Sequence, residues 1–234
     1  MTHREFDDYA RSYSELLSDP VRDWFSGGSS RFYHERKRDV IRSYFQRQGI
    51  ATRGLRYLDL GCGEGDLLAL LRGDFAMVAG CDPSGEMLKA AKGIEIRLQL
   101  DPATIPYDTG EFDFVTAVCV YHHVDPQARL RLTREIQRVI TPGGTFAIIE
   151  HNPYNPATRL IVSRTPVDAN AKLLTSRESR KLVESAGFRP KEMQYFLYFP
   201  ESLYPSLRSL ESWLSVLPFG GQYAFFATND NPLS

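Results

Sequence analysis

The chain has 234 residues, 42% of them apolar and 24% charged, a balance that supports a buried core and argues against wholesale disorder. Its 28 basic and 29 acidic side chains leave a net charge of -1, so no long-range field draws it to a phosphate backbone or an anionic membrane, and no nucleic-acid partner is expected. There is no run of about 18 apolar residues, no apolar leader follows Met1-Thr2-His3-Arg4, and Cys62, Cys81 and Cys119 form no ligand pattern, so we expect reduced thiols, a cytoplasmic location, no stable membrane insertion and no metal centre.

Residues 1–30 are polar with interleaved aromatics and end in Ser26-Gly27-Gly28-Ser29-Ser30, a composition suited to a helix and a mobile connection acting as a lid. From Arg31 to Gln48, Phe32, Val40, Ile41, Tyr44 and Phe45 recur at mixed three- and four-residue spacing, which predicts an amphipathic helix closed by Gly49. Strands are expected near 56–60, 76–81, 95–100, 112–119 and 144–150, with helices near 65–72, 84–92, 127–139 and 176–186; this alternation predicts a parallel sheet covered on both faces. Apolar runs near 193–199 and 222–228, joined by a Pro- and aromatic-rich connection rather than a clear crossover helix, suit an edge hairpin. No repeat or linker divides residues 1–234, so a single domain is expected, with 1–30 as its lid and 151–175 and 200–221 as insertions on the substrate side.

The most informative stretch is Tyr57-Leu58-Asp59-Leu60-Gly61-Cys62-Gly63-Glu64-Gly65-Asp66. An apolar strand runs into glycines at every second position and then into a helix, so the backbone can turn sharply and approach a nucleotide-like ligand. Dinucleotide enzymes share that plan, but here the third glycine of their pattern falls on Asp66, and Asp59 adds a second carboxylate. Two carboxylates repel a pyrophosphate and suit a ligand carrying an ammonium and a sulfonium, which favours S-adenosylmethionine over NAD. Downstream, Asp82 ends the second strand, where a carboxylate can accept hydrogen bonds from both ribose hydroxyls, while Ser84 is placed to cap the next helix.

Taken in order, these segments resemble a class I S-adenosylmethionine-dependent methyltransferase of the small-molecule type, strongly over 56–150 and loosely over 176–228. Leu100-Asp101-Pro102-Ala103, Phe112-Asp113-Phe114-Val115 and Ile140-Thr141-Pro142-Gly143-Gly144 continue the resemblance, although Leu100 and Pro102 depart from the family's usual glycine and alanine. The resemblance implies a doubly wound, Rossmann-like α/β fold with a seven-stranded, mostly parallel sheet and an antiparallel edge hairpin strand. It implies that Asp59, Gly61 and Gly63 hold the methionine part, Asp82 the ribose and Asp101 the adenine amino group. Pro83, Met87, Pro102 and Cys119 complete that cofactor set, and Tyr13 is expected to reach the methionine carboxylate.

Methyl transfer requires alignment and, for a hydroxyl or protonated amine, loss of a proton. His122 and His123 follow the fourth strand and His151 the fifth, so these three are the candidate bases. Tyr9, Asn152, Tyr154, Arg159 and Tyr198 are the candidate acceptor contacts, since the common core does not need the segments around them. The expected activity is methylation of O, N or C on a small molecule, such as a secondary metabolite, a sugar or a lipid-linked intermediate, by a monomer or homodimer. A non-catalytic cofactor-binding subunit or regulator and a nicotinamide-dependent reductase are the alternatives.

Overall fold

A computed structural model describes residues 19–89 and 93–230. The expected contacts of Tyr9 and Tyr13 lie outside the described residues. The helices are α1 (Pro20–Ser26), α2 (Ser30–Gln48), α3 (Asp66–Leu71), α4 (Gly85–Leu88), α5 (Arg129–Val139), α6 (Pro156–Arg164), α7 (Ser176–Ser185) and α8 (Tyr204–Leu214). The strands are β1 (Arg56–Leu60), β2 (Met77–Asp82), β3 (Glu95–Leu98), β4 (Phe112–Val118), β5 (Ile140–His151), β6 (Arg189–Phe196) and β7 (Gln222–Thr228). They form one sheet in the order β3-β2-β1-β4-β5-β7-β6. The first five strands run parallel, and β7 lies antiparallel to both β5 and β6. The doubly wound sheet and its antiparallel edge are those expected from the sequence.

Period-two alternation sorts the side chains of β1 onto two cores. Tyr57 joins Phe45, Phe75, Phe114 and Phe226 beneath α2 and α3, whereas Leu58 and Leu60 face Ile136, Ile148 and Val183 on the side of α5 and α7. Under α2, Tyr44 stacks on Phe226 with ring centroids 3.9 Å apart, and Phe45 meets Phe114 edge-on at 4.9 Å. Each such ring contributes about 1.5–3 kcal/mol by burial, which anchors α2 to the sheet. Gly49, at φ +67°, closes α2 in the left-handed conformation, and Ser29 caps its start by accepting from Arg31 N at 3.2 Å.

The structure differs from the sequence reading in three elements. The connection over 200–221 contains α8, although no clear helix was expected there. Its apolar residues largely face outward, Trp213 being 83% exposed, and it is fixed instead by Arg36, which stacks on the Tyr204 ring at 3.6 Å and pairs with buried Glu211. Polar anchoring of this kind carries no apolar periodicity. Strand β5 begins at Ile140 rather than near 144, because the turn residues Thr141-Pro142-Gly143-Gly144 are carried within it as an irregularity in the register with β4. The helix expected over 84–92 is described only at Gly85–Leu88.

Candidate functional site

A cavity of about 1130 Å³ opens along the carboxyl ends of β1, β2 and β4, beneath α1 and α6. At its centre the chain leaves β1 through Gly61 (φ +69°), Gly63 (φ +53°) and Gly65 (φ +84°). Gly61 and Cys62 donate from their backbone nitrogens to Cys81 O at 2.7 and 3.2 Å, so the loop is tied to the end of β2. A Cβ at Gly80 would fall 2.6 Å from Cys62 Sγ, and one at Gly61 would fall 2.6 Å from Val120 Cγ2. These two glycines let the loop, β2 and the β4 exit pack against each other.

Asp82 Oδ2 accepts from Gly63 N at 2.9 Å and Oδ1 from Ser84 N at 2.8 Å, while Ser84 Oγ caps α4 through Met87 N at 3.3 Å. The division of labour read from the sequence changes in one respect: Asp82 also organises the backbone on both sides. A carboxylate has about four acceptor positions, so these bonds orient it without exhausting it. Asp59 is buried at the end of β1 and accepts from Thr116 Oγ1 at 2.5 Å. Burial pushes its pKa up to about 7, and nearby Asp82 adds to the rise, against the opposing pull of Thr116 and Lys37. Lys37 is buried on the inward face of α2 and lines the cavity. Pro83, Met87, Pro102 and Cys119 also line it.

Asp101 does not. Its carboxylate accepts from Ala103 N and Thr104 Oγ1, both at 2.9 Å, and pairs with Arg131 at 2.8 Å, which turns it into a local turn away from the cavity. Gln99 lines the cavity instead, buried, with Nε2 donating to Pro102 O at 3.3 Å.

Beyond Cys119 the wall becomes imidazole and carboxylate. Cys119 itself has φ +57°, a strained value for a residue with a side chain, and receives a hydrogen bond from Gln222 Nε2 at 3.6 Å. His122 is buried, with Nδ1 2.6 Å from Glu150 Oε2 and Nε2 3.3 Å from Asp168 Oδ1. Burial alone would lower its pKa, but the flanking Glu150 and Asp168 hold it well above the ordinary value. His123 Nε2 is 3.5 Å from the same Asp168 oxygen, and burial together with the His122 charge lowers its pKa to about 4. The His151 ring lies 5.2 Å from that of His122, and His151 is among the groups that hold the Cys119 thiol below its ordinary pKa despite burial. All three histidines line the cavity.

The acceptor contacts expected from the sequence fare unevenly. Tyr198 lines the cavity, its hydroxyl donating to Leu214 O at 2.7 Å, so it presents its ring. Asn152 is buried in the fold: Nδ2 donates to Pro218 O at 3.0 Å and Gly220 O at 2.8 Å, and Oδ1 accepts from Tyr154 N at 3.1 Å. Tyr154, 54% exposed, and Arg159, also exposed, lie outside the lining. In the 200–221 segment, expected on the substrate side, Trp213 and Phe219 likewise face solvent. Lys37, Gln99 and Asp168 escaped the sequence reading. Lys37 sits at a core position in the spacing of α2, a usable signal, whereas Asp168 comes from a short turn over Pro166–Asp168 that carries none.

A doubly wound sheet whose glycine loop faces two carboxylates at its switch point defines a nucleotide-type cofactor enzyme. The methyltransferase-domain family model matches residues 58–148. The demethylmenaquinone methyltransferase of Thermus thermophilus is 28% identical over 180 residues, 72% of this chain and 76% of that protein. The ubiquinone biosynthesis O-methyltransferase of Coxiella burnetii is 31% identical over 147 residues, 58% of this chain and 61% of that protein. Among solved structures, a methyltransferase from Thermotoga maritima described as a possible histamine N-methyltransferase superposes with a TM-score of 0.67 at 17% identity, covering 96% of this chain and 97% of that one. Residues 58–148 thus match a methyltransferase domain, and the sheet and glycine loop around them are those of the class I S-adenosylmethionine-dependent fold, which supports an enzyme using that cofactor. Among the described residues no helix is long and apolar enough to cross a membrane.

Proposed function

We propose that this methyltransferase acts on an oxygen of a small, partly apolar biosynthetic intermediate held between the histidine cluster and α6. The observation that carries this reading is the size and two-ended chemistry of the cavity. At about 1130 Å³ it exceeds the upper end of the range for one drug-sized ligand, about 300–1000 Å³. One end is the Asp59, Asp82 and Gln99 region, and the other is lined by His123, His151, Asp168, Ile161, Val167 and the Tyr198 ring.

The residues at the first end fit the cofactor. Asp82 would accept the ribose hydroxyls, ionised Asp59 would face the methionine ammonium and Lys37 its carboxylate, while Pro83, Met87 and Pro102 flank the base. When bound, the cofactor supplies a methyl group on a sulfonium, already activated for in-line displacement. The chain therefore has to hold the acceptor in line, exclude water and take up the hydroxyl proton. His151, at the end of β5 and beside Cys119, is the base we assign. Two relatives named for quinone-pathway methylation agree with a partly apolar acceptor.

The test is incubation of the full chain with labelled cofactor and a panel of phenols, amines and carbon acids bearing apolar groups. Labelled ethers are the expected product. Label appearing solely on nitrogen or carbon would overturn the oxygen assignment.

A further inference from the structure

The sequence reading expected no metal centre, yet the fold brings two imidazoles and a carboxylate to one point. We propose that His122 Nε2, His123 Nε2 and Asp168 Oδ1 form a binding site for a divalent transition-metal ion at the acceptor end of the cavity. One ligand atom from each of the three residues lies within 4.8 Å of the other two, and Asp168 Oδ1 stands 3.3 Å from His122 Nε2 and 3.5 Å from His123 Nε2. Donors about 2.0–2.1 Å from a common ion stand about 3–3.5 Å apart across right or tetrahedral angles, so the two carboxylate–imidazole separations suit a shared ion.

The outer groups agree. Metal-bound imidazoles characteristically give their second nitrogen to a carboxylate, which fixes the ring and the tautomer. His122 has that arrangement: Nδ1 sits 2.6 Å from buried Glu150, whose other oxygen accepts from Tyr121 N at 2.7 Å. The two segments are also tied together, because Lys172 N donates to His122 O at 2.8 Å. The same distances would serve an imidazolium between two carboxylates. That arrangement leaves one buried negative charge in excess, whereas a divalent ion with neutral imidazoles balances Glu150 and Asp168 locally, and buried charge is costly unless balanced. Two imidazoles with one carboxylate suit zinc, iron, cobalt or nickel, not the all-oxygen preference of calcium or magnesium.

All three residues line the cavity, so an ion held by them would border the space proposed for the acceptor. An acceptor oxygen bound there loses its proton more readily. This last role rests on the oxygen-acceptor reading; the ion site itself does not.

The experiment is titration of the chelator-stripped full chain with Co2+ alone, followed by visible absorption and calorimetry. One site per chain is expected, weakened at least about tenfold by Asp168→Asn and by His123→Gln, and about 10- to 100-fold by Glu150→Gln. Thermal stabilisation by S-adenosylhomocysteine, which uses the other end of the cavity, reports that each variant is folded. Should Glu150→Gln lose it, the Asp168 and His123 variants still decide. No Co2+ uptake by protein that binds S-adenosylhomocysteine, or uptake that Asp168→Asn leaves unchanged, overturns the proposal. Co2+ uptake lost in those variants, combined with failure to methylate any oxygen, would leave the site standing and remove the oxygen-acceptor reading alone.

Discussion

Thr116 Oγ1 lies 2.5 Å from Asp59 Oδ1 and gives its hydrogen to a carboxyl group that the sheet otherwise buries, with the Tyr57 hydroxyl 2.8 Å behind it. The threonine offsets part of the desolvation, and the group titrates at about 7. Because that value is raised above the ordinary 3.8, its contribution to the stability of the ligand-free chain is fully present below 3.8 and is lost as pH rises through 7.

Cofactor binding is proposed to have the opposite dependence, since a ligand ammonium facing Asp59 favours the ionised carboxyl. Affinity for S-adenosylhomocysteine, measured by calorimetry, should rise about tenfold per pH unit below neutrality and level off above it, with proton release on binding near pH 7. Asp59→Asn should flatten the profile, and Thr116→Val should move its midpoint upward. A wild-type affinity independent of pH would remove Asp59 from the ligand's surroundings.

Asp82→Ala removes the acceptor for the Gly63 and Ser84 backbone N–H groups, and with it the acceptor proposed above for the ribose. With about 1.5–3 kcal/mol per charge-assisted hydrogen bond, a loss of at least about 100-fold in cofactor affinity is expected by calorimetry, together with a lower melting temperature without ligand. Binding within a few-fold of wild type would show that the ribose lies elsewhere.

Gly61→Ala and Gly63→Ala form a matched pair. Both positions have positive φ, at about 1–2 kcal/mol of strain for an alanine, but only at Gly61 does the new Cβ meet a neighbour, Val120 Cγ2 at 2.6 Å. Unfolding free energies from denaturant titration should therefore fall further for Gly61→Ala, by about a further 1–3 kcal/mol. Equal losses would mean that Val120 yields freely.

His151→Ala should lower turnover by about 10²–10⁴-fold with cofactor affinity unchanged, the signature of a lost base. Steady-state rates against an accepted substrate provide the check, and unchanged turnover would exclude His151 from the reaction.

Asn152→Ala addresses the stability of the fold. Its buried amide serves Pro218 O and Gly220 O, so removal should cost about 1–3 kcal/mol in urea unfolding while leaving cofactor affinity intact. A specific loss of acceptor affinity without destabilisation would restore a direct role.

The sheet and the glycine loop were legible in the sequence because both follow from local rules. Hydrophobic periods mark β1 to β4, and the glycines at 61, 63 and 65 mark a turn that only unhindered backbone makes. The acceptor end was less legible. Asp168 meets His122 across 46 positions of chain, and Asn152, although sited in a polar loop, is consumed by backbone carbonyls at 218 and 220. Asp101 shows the same limit at short range: the sequence places it near the cavity, but an adjacent turn and Arg131 take its carboxylate.

Strand β7 lies between β5 and β6, although it follows both in the chain. During synthesis β6 has no neighbour to pair with until residues 222–228 emerge, and β5 meanwhile presents an open apolar edge, a hazard for pairing with other nascent chains. Gly221 and Gln222, at the start of β7, also border the histidine end of the cavity. A ribosome-bound intermediate ending before this strand would thus have its glycine loop in place but an unfinished histidine wall, so completion of that wall waits on the synthesis of β7.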